Sequence, residues 1–252
     1  MARNDLDYKL AGPIPALVDF VDSIWMIANQ SDADLETVVL PDGRFDIFFS
    51  YSATEPYHVS LMGLGSEASQ TTITSKTVIY AVSFKLLAIE YLIEMPVSSL
   101  LNSASYLPDD FWGITAADLT DFDDFYNKVS AKMVGLINGE IDNRKRVLFD
   151  LIYASNGSMS VSELSDRAAW SSRQINRYFN QKFGISLKTY CSILRFRASF
   201  QHIQEGKLYP ELKFADQAHF IKEVKRLSGA VPKELAKNKN DRFIQFSALT
   251  KI

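Results

Sequence analysis

Cysteine and histidine are scarce in this sequence of 252 residues, which argues against a disulfide-stabilised protein and against a metal-binding one. The single cysteine, Cys191, cannot form a disulfide within the chain, and its apolar neighbours in YCSILRF favour a buried, unreactive thiol. The three histidines, His58, His202 and His219, show neither HxH nor HxxxH spacing. Because a metal site needs clustered ligands, we expect no metal, no other cofactor and no enzymatic activity.

Long apolar runs are absent as well. No stretch reaches about 18 apolar residues, and the opening MARNDLDYKL is charged where a secretory signal is apolar. With 47% hydrophobic residues, the chain can form the buried cores of two ordinary domains. We therefore expect a cytoplasmic globular protein that does not bind or cross a membrane.

Charge is distributed unevenly along the chain, although the net charge is only −3. Counted as Lys+Arg minus Asp+Glu, residues 1–157 carry −12, residues 158–240 carry +8 and residues 241–252 carry +1. A basic block within an acidic protein is typical of a surface for a polyanion, because cationic side chains that neutralise phosphates release counterions. Chance segregation of surface charge is the alternative.

The first 115 residues are expected to be rich in strands. Short β-branched or alternating runs follow one another, with a strong turn signal at Pro41-Asp42-Gly43 inside ETVVLPDGRFDIFFSYS. ALVDFVDSIWMIAN predicts a short amphipathic helix that leads into a strand, and SSLLNSASYLPDDFWGI predicts a short helix and a loop. Several short strands with turns between them favour a sandwich or a small barrel.

Three charged residues in or beside that turn are candidate effector contacts. For Asp42, Arg44 and Asp46, ordinary surface charges on a turn and a strand face are the favoured interpretation. From about residue 116 the apolar period becomes helical, which predicts a helical connector up to Asn156-Gly157-Ser158.

Two short helices are predicted in MSVSELSDRAAWSSRQINRYFNQKFG. Ser160 and Glu163 have capping-box spacing, and the second helix, from about 172 to 183, ends at Gly184. Such a helix-turn-helix can place polar side chains of its second helix against base edges in the major groove, where Arg pairs with guanine and Gln or Asn with adenine. The candidate reading residues are Arg173, Gln174, Asn176 and Arg177. The alternative is that they coat a solvated helix face.

A long helix beginning at Ser186, within ISLKTYCSILRFRASFQHIQEG, and a further helix beginning at Asp216 complete the helical region. Asp216 is a good N-cap, Gly229 is predicted to end the helix, and a buried stripe is predicted for Phe220, Val224 and Leu227. The polar residues left for solvent or a partner are Gln217, His219, Lys222, Lys225 and Arg226. Phosphate contacts, which position a protein on DNA without reading sequence, are predicted for Lys182, Lys188, Lys225 and Arg226.

Residues 158–235 resemble the DNA-binding domain of the AraC/XylS family of bacterial transcription regulators. The resemblance rests on SSRQINRYFNQKFGISLKTY, on LRFRA, and above all on FADQAHFIKEVKRLSGAVPKEL, in which an aromatic, DQxHF, a basic helix, Gly and xxP keep the family's spacing. It implies two helix-turn-helix units, bridged by a long helix and bound to double-stranded DNA. Here only KLYPEL and Lys213 separate Gly206 from Phe214, and Pro210 disfavours a helix, so a truncated first helix is expected in the second unit.

The N-terminal half more weakly resembles a cupin-like domain of some family members, through VVLPDGRFDIFFSYS, Ala81 to Phe84 and MPVSSLLNSASYLPDDFWG. This implies a sensory or oligomerisation role. The expected architecture is therefore α+β, with a β-rich cupin-like domain at 1–115, a helical connector at 116–156, an AraC-type DNA-binding domain at 157–240 and a tail at 241–252.

The resemblance implies a sequence-specific DNA-binding transcription regulator, controlled through its N-terminal domain by an effector or a partner. It allows for three further partners: a small-molecule effector, RNA polymerase and a second copy of the chain. The alternative is a protein-interaction module with a degenerate DNA-binding domain, favoured by the shortened lead-in and by a pI of about 5.7.

Overall fold

The computed structural model of the chain describes residues 6–95, 97–207, 214, 216–239 and 242–249. An antiparallel β region comes first and a helical region follows, so the predicted α+β class is confirmed. Most of the KLYPEL lead-in, and with it the predicted truncation of a helix, lies outside the described residues.

The strands of the β region are β1 (Leu6–Ala11), β2 (Val21–Asn29), β3 (Leu35–Val39), β4 (Phe45–Tyr51), β5 (His58–Met62), β6 (Ser69–Ile73), β7 (Val78–Phe84) and β8 (Ala104–Leu107). They form a six-stranded sheet in the order β1-β2-β7-β4-β5-β8 and a two-stranded sheet, β3-β6, and all neighbouring strands are antiparallel. The central strands form because bulky apolar residues alternate along them; in β4, Phe45, Ile47 and Phe49 are fully buried.

The predicted turn at Pro41-Asp42-Gly43 is confirmed, and it joins β3 in the small sheet to β4 in the large one. Gly43 has a φ of 79°, and a Cβ at this position would lie 2.9 Å from Cδ2 of Leu194. The backbone conformation therefore favours glycine, and a larger residue would also displace the end of the Leu194 side chain.

Two local predictions in this region need correction. Ala104–Leu107 forms an edge strand beside β5, where a helix and a loop were predicted; only 3₁₀ turns flank it, at Ser98–Leu100 and Phe111–Gly113. A short edge strand depends on the hydrogen bonds offered by its neighbour, which leave little trace in its own sequence. The helix predicted ahead of β2 is a single 3₁₀ turn at Pro15–Leu17.

The helical region follows the predicted order, with one break. The helix predicted from Ser186 onward ends at Ala198 and resumes at Phe200, with buried Ser199 between the two segments and its hydroxyl donating to the carbonyl of Phe196. The helices are α1 (Phe122–Val134), α2 (Asn143–Ala154), α3 (Val161–Arg167), α4 (Ser172–Phe183), α5 (Leu187–Ala198), α6 (Phe200–Gln204), α7 (Gln217–Ser228), α8 (Pro232–Lys237) and α9 (Ile244–Leu249).

One continuous apolar core extends from the large sheet into the helices. Phe49 of β4 meets Phe125 of α1 edge to face, with ring centroids 5.6 Å apart. Cys191 is buried in this core, as predicted, and burial raises the pKa of its thiol to about 11. Among the described residues, no helix has the length and apolar character to cross a membrane, and no cluster of three His, Cys, Asp or Glu side chains is placed to hold a metal.

Candidate nucleic-acid interface

The first helix-turn-helix forms where the sequence predicts it. Ser160 caps α3 and Ser171 caps α4, each in a reciprocal capping box with the residue three positions later. Gly184 ends α4 with a φ of 75°. The turn between the helices places Ala169 at a φ of 49°, a conformation that costs a residue with a Cβ roughly 1–2 kcal/mol.

The two faces of α4 differ sharply. Its inner face buries Ile175, Tyr178, Phe179 and Phe183. Arg173 and Arg177 are one helical turn apart on the outer face, where both are exposed. Neither forms an ion pair with any residue in the described part of the chain. The structure therefore leaves two guanidinium groups beside each other near the start of a capped helix.

The other two residues predicted to read bases on α4 are partly engaged. The Gln174 side-chain oxygen accepts a hydrogen bond from the Ser171 hydroxyl at 2.7 Å, as part of the cap. Asn176 is half-buried, and its amide donates to the carbonyl of Ser172 at 3.0 Å. Asn180 was not among the predicted reading residues, although it is exposed on the same outer face. Its spacing of three positions from Arg177 could have indicated this placement.

The second candidate reading helix, α7, also begins and ends as predicted. Asp216 accepts a hydrogen bond from the backbone amide of His219 at 2.7 Å, and Gly229 ends the helix with a φ of 71°. The predicted stripe is buried, at Phe220, Val224 and Leu227. Gln217, Lys222 and Lys225 are exposed, whereas His219 is half-buried against the ring of Phe214.

One apolar side chain on α7 was not foreseen. Ile221 is 37% exposed, one position before Lys222 and one helical turn before Lys225. An isoleucine offers neither charge nor a hydrogen bond, so the sequence does not identify it as a possible contact residue. Only its position outside the buried stripe predicts that its side chain is exposed.

The four lysines and arginines predicted to contact phosphates fall into two pairs. Lys188 and Lys225 are exposed, with no ion pair to a described residue. Arg226 forms a bidentate ion pair with Glu223, whose pKa it lowers to about 2. Lys182 lies 3.5 Å from a carboxylate oxygen of Glu90.

Glu90 attaches the first unit to the β region. It lies in a helical turn at Ile89–Ile93, accepts a hydrogen bond from the Tyr178 hydroxyl, and pairs with Lys145 at 2.9 Å. Burial alone would raise the pKa of Glu90, but these hydrogen bonds and the nearby lysines hold it below its usual value. Gly184 touches the same surface, because a Cβ there would lie 2.6 Å from the carbonyl oxygen of Ser98.

A second charged cluster links α5 to the large sheet. Asp22 pairs with Arg44 and with Arg197, at 2.6 Å in each case. Burial would raise the pKa of Asp22, but the two guanidinium groups hold it well below its usual range. The interpretation of Arg44 as an ordinary surface charge is therefore wrong, because only 6% of this residue is exposed.

Asp46, beside this cluster, is also more than a surface charge. It is half-buried and accepts a hydrogen bond from the Ser83 hydroxyl, which itself accepts one from the Trp25 ring nitrogen at 2.9 Å. Burial, followed by the charge of Asp42, raises the pKa of Asp46 to about 7.

An open groove of about 420 Å³ is lined by residues 92–94, 111–112 and 135–138. Phe111 and Trp112 stack in its wall with ring centroids 4.9 Å apart, and Asn138 donates to Glu94 at 2.7 Å on another side. The groove thus combines aromatic faces with one charged group.

Comparisons with known proteins give limited matches. Residues 10–105 match a family model described as a domain of unknown function, DUF6597. No curated protein matches the chain.

Among solved structures, the chain is similar to ToxT from Vibrio cholerae O395, with 10% identity and a TM-score of 0.43 over 92% of this chain and 97% of that one. It is also similar to ToxT from strain SCE256 bound to an unsaturated fatty acid, with 11% identity and a TM-score of 0.42 over 82% and 96% of the two chains. A third similar structure, ToxT from O395 bound to (E)-4-(8-methylnaphthalen-1-yl)but-3-enoic acid, has 11% identity and a TM-score of 0.41 over 92% and 97%. At these values no functional conclusion rests on the likeness.

Proposed function

We propose that this chain is a sequence-specific DNA-binding transcription regulator of the AraC/XylS type. The observation that carries the proposal is the outer face of α4, where Arg173 and Arg177 are exposed at the start of a capped helix with a buried aromatic inner face. Guanidinium groups presented in this way can pair bidentately with guanine in the major groove.

The charge distribution supports DNA as the partner. Residues 158–240 carry +8, while the preceding residues carry −12, so the net attraction to a polyanion comes from residues 158–240. The phosphate backbone supplies much of the affinity in such complexes, and base contacts supply the specificity. Within this proposal Lys188 and Lys225 contact phosphates.

Each reading helix is assigned one stretch of major groove. On α4 the readers are Arg173 and Arg177, assisted by Gln174 and Asn176 once their side chains leave their local hydrogen bonds. On α7 the readers are Gln217, His219 and Lys222. Two units on one face of the duplex would lie about one turn apart, or ~34 Å.

The N-terminal half, residues 1–115, is proposed to be the cupin-like regulatory domain, and residues 116–156 its helical connection to the reading units. Its groove beside Trp112 is the proposed effector site, because aromatic faces and a carboxylate suit a small molecule with a planar apolar part. RNA polymerase and a second copy of the chain are further proposed partners, with the protein acting in the cytoplasm.

The test starts from selection of duplexes out of a random pool with the purified full chain. In the proposed role, Arg177→Ala lowers discrimination between the selected and a scrambled duplex by about 1–3 kcal/mol. Lys225→Ala weakens both duplexes equally, because a phosphate contact carries no sequence information. The control is Lys132→Ala, an exposed lysine of α1 outside the basic half, which should change neither affinity. Equal losses on both duplexes for Arg177→Ala would contradict base reading.

The competing proposal is a protein-interaction module whose DNA-binding half no longer works. The salt dependence of binding to mixed genomic fragments separates the two. A regulator gives log affinity that falls steeply and linearly with log salt, because bound phosphates release counterions. Absence of binding even at low salt would favour the interaction module.

A further inference from the structure

The segment at residues 242–249, named here the C-terminal strap, returns from the helical half to the β region. The carbonyl oxygen of Arg242 accepts hydrogen bonds from the Val38 amide at 2.7 Å and from the Thr37 hydroxyl at 3.0 Å. Phe243 forms a parallel β-bridge with Val38. The strap therefore pairs with β3 through backbone groups, on a strand whose other partner is β6.

Gln245 extends this pairing with its side chain. Its amide oxygen accepts from the Leu40 backbone amide at 3.1 Å, and its amide nitrogen donates to the Leu40 carbonyl at 2.9 Å. One glutamine thus satisfies both backbone groups of a residue just beyond the end of β3, as a neighbouring strand would. Ile244 packs against the small apolar cluster of Leu6, Ile27 and Ile73.

The opposite side of the strap contacts two helices. Phe246 is only 1% exposed, its ring centroid lies 5.2 Å from that of Phe200 in α6, and its carbonyl accepts from Gln204 at 3.3 Å. The Asn238 side chain, just after α8, accepts from the Phe243 amide at 2.8 Å. The strap therefore joins β3 to α6 and to the end of α8.

Contacts continue from α6 to the second reading helix. The ring of His202 lies 6.0 Å from that of Phe220, which is fully buried in α7. At Ser199 the backbone keeps right-handed helical angles, but its amide and its hydroxyl both donate to the Phe196 carbonyl, and α5 ends there before α6 begins. The first unit has a separate attachment, through Glu90 and Ser98 to α4.

We propose that the C-terminal strap is a positioning device for the second reading helix. Gln245 fixes the strap on the end of β3, Phe246 packs on α6, and Phe243 bonds to Asn238 at the end of α8. In this way α6 and α8, which contact α7, are held on the β region, while Glu90 holds α4. The position of α7 relative to α4 then depends on the strap as well as on α5, whose Ser192 hydroxyl donates to Glu223 of α7. The consequence for DNA binding rests on the proposed function, whereas the positioning itself does not.

The positioning is tested by measuring distances between spin labels in the full chain. Labels at Thr71→Cys in β6 and Ala218→Cys in α7 report on the second unit, and labels at Thr71→Cys and Gln181→Cys in α4 report on the first; all three positions are exposed. The native Cys191 is buried and is not expected to react with the label.

With an intact strap, both distance distributions should be narrow. Phe246→Ala should broaden the distribution for Thr71–Ala218 and leave that for Thr71–Gln181 unchanged. Gln245→Ala removes only two hydrogen bonds and should give a smaller broadening of the same kind, which guards against a general loss of fold in the first variant. Tyr106→Ala is the matched control, because this aromatic ring is 74% exposed on β8.

Unchanged Thr71–Ala218 distributions in both strap variants would overturn the proposal. Equal broadening of both label pairs would overturn it as well, since the strap would then support the whole fold rather than α7.

A footprint on the selected duplex distinguishes a selective loss of the α7 contact from a general loss of protein stability. Phe246→Ala should lose protection over the segment bound by α7, keep it over the segment bound by α4, and lower affinity roughly tenfold, because the second contact loses effective concentration. Uniform loss over both segments would contradict selective positioning. If the wild-type chain binds no duplex, the proposed function fails while the distance measurements still decide the role of the strap.

Discussion

Asp22 in β2 and Arg197 in α5 form an ion pair of 2.6 Å across 175 positions of the chain, and the other oxygen of Asp22 pairs with buried Arg44. The single carboxylate of Asp22 therefore pairs with two guanidinium groups, that of Arg44 in the β region and that of Arg197 in the helical region. A buried ion pair adds little stability compared with apolar side chains in the same place, but removal of one partner leaves an uncompensated buried charge, which is strongly destabilising.

We therefore expect Asp22→Ala to lower the free energy of unfolding by about 3–5 kcal/mol, because Arg44 remains buried without its partner. Urea unfolding at neutral pH measures the change. The control is Asp32→Ala, which removes an ion pair with Lys76 whose aspartate side chain is 95% exposed, and which should cost about 0–1 kcal/mol. Comparable small losses in the two variants would show that Arg44 finds other compensation.

Asp46 should make the protein less stable as pH rises. Its pKa is raised from 3.8 to about 7, mainly by burial and by the charges of Asp42 and Asp22, although Arg44 opposes the shift. Between pH 3.8 and about 7 the Asp46 carboxyl is ionised in the unfolded chain but still protonated in the folded one. Its contribution to the free energy of unfolding is therefore complete below pH 3.8 and is lost as the pH rises through about 7.

Asp46→Asn should flatten this part of the stability profile, measured as the urea midpoint across that pH range. Asp123→Asn, at an exposed position of α1, should leave the slope unchanged. The lowered pKa of Asp22 acts in the opposite sense, because its contribution is present above 3.8 and is lost only as pH falls further. An identical slope in wild type and Asp46→Asn would refute the assignment.

Two residues with positive φ around α4 should respond to substitution in opposite directions. Ala169→Gly should stabilise the chain by about 1 kcal/mol, because glycine adopts the φ of 49° without the Cβ penalty. Gly184→Ala should destabilise it by roughly 2 kcal/mol, because its φ is 75° and the added Cβ meets the Ser98 carbonyl oxygen. Thermal unfolding measures both, and changes of the same sign would contradict the prediction.

The attachment of α4 through Glu90 and Tyr178 should appear as energetic coupling. A double-mutant cycle with Glu90→Gln and Tyr178→Phe removes the charge and the hydroxyl separately and together. Residues in direct contact typically give interaction energies of about 0.5–3 kcal/mol, and we expect a value in that range. The cycle of Glu90→Gln with Tyr106→Phe, on an exposed residue of β8, should show additive effects.

Local signals in the sequence predicted the parts of the candidate site that depend on nearby residues. The capping box at Ser160, the N-cap at Asp216 and the glycine stops at Gly184 and Gly229 lie where the sequence places them. These features arise from hydrogen bonds and backbone conformations within a few positions, so the sequence window contains all the participants.

Other features depend on residues far apart in sequence, and local patterns did not reveal them. The strand at Ala104–Leu107 needs β5, and the burial of Arg44 needs Asp22. The engagement of Lys182 and Arg226 also became visible only in the folded chain. In each case the side chain looks like an ordinary surface or loop residue until its partner is in place.

Local patterns in the sequence are sufficient to predict the order of the β and helical regions, the charge asymmetry and the positions of the two capped candidate reading helices. Three features need the folded chain: the end of α5 at Ser199, the ion pairs of Glu90 with Lys182 and of Asp22 with Arg197, and the pairing of residues 242–249 with β3. The two groups of features differ in how far apart in sequence the interacting residues are. Helix caps and apolar periods involve residues within a few positions of each other. Ion pairs and strand pairing between distant segments depend on which surfaces folding brings together.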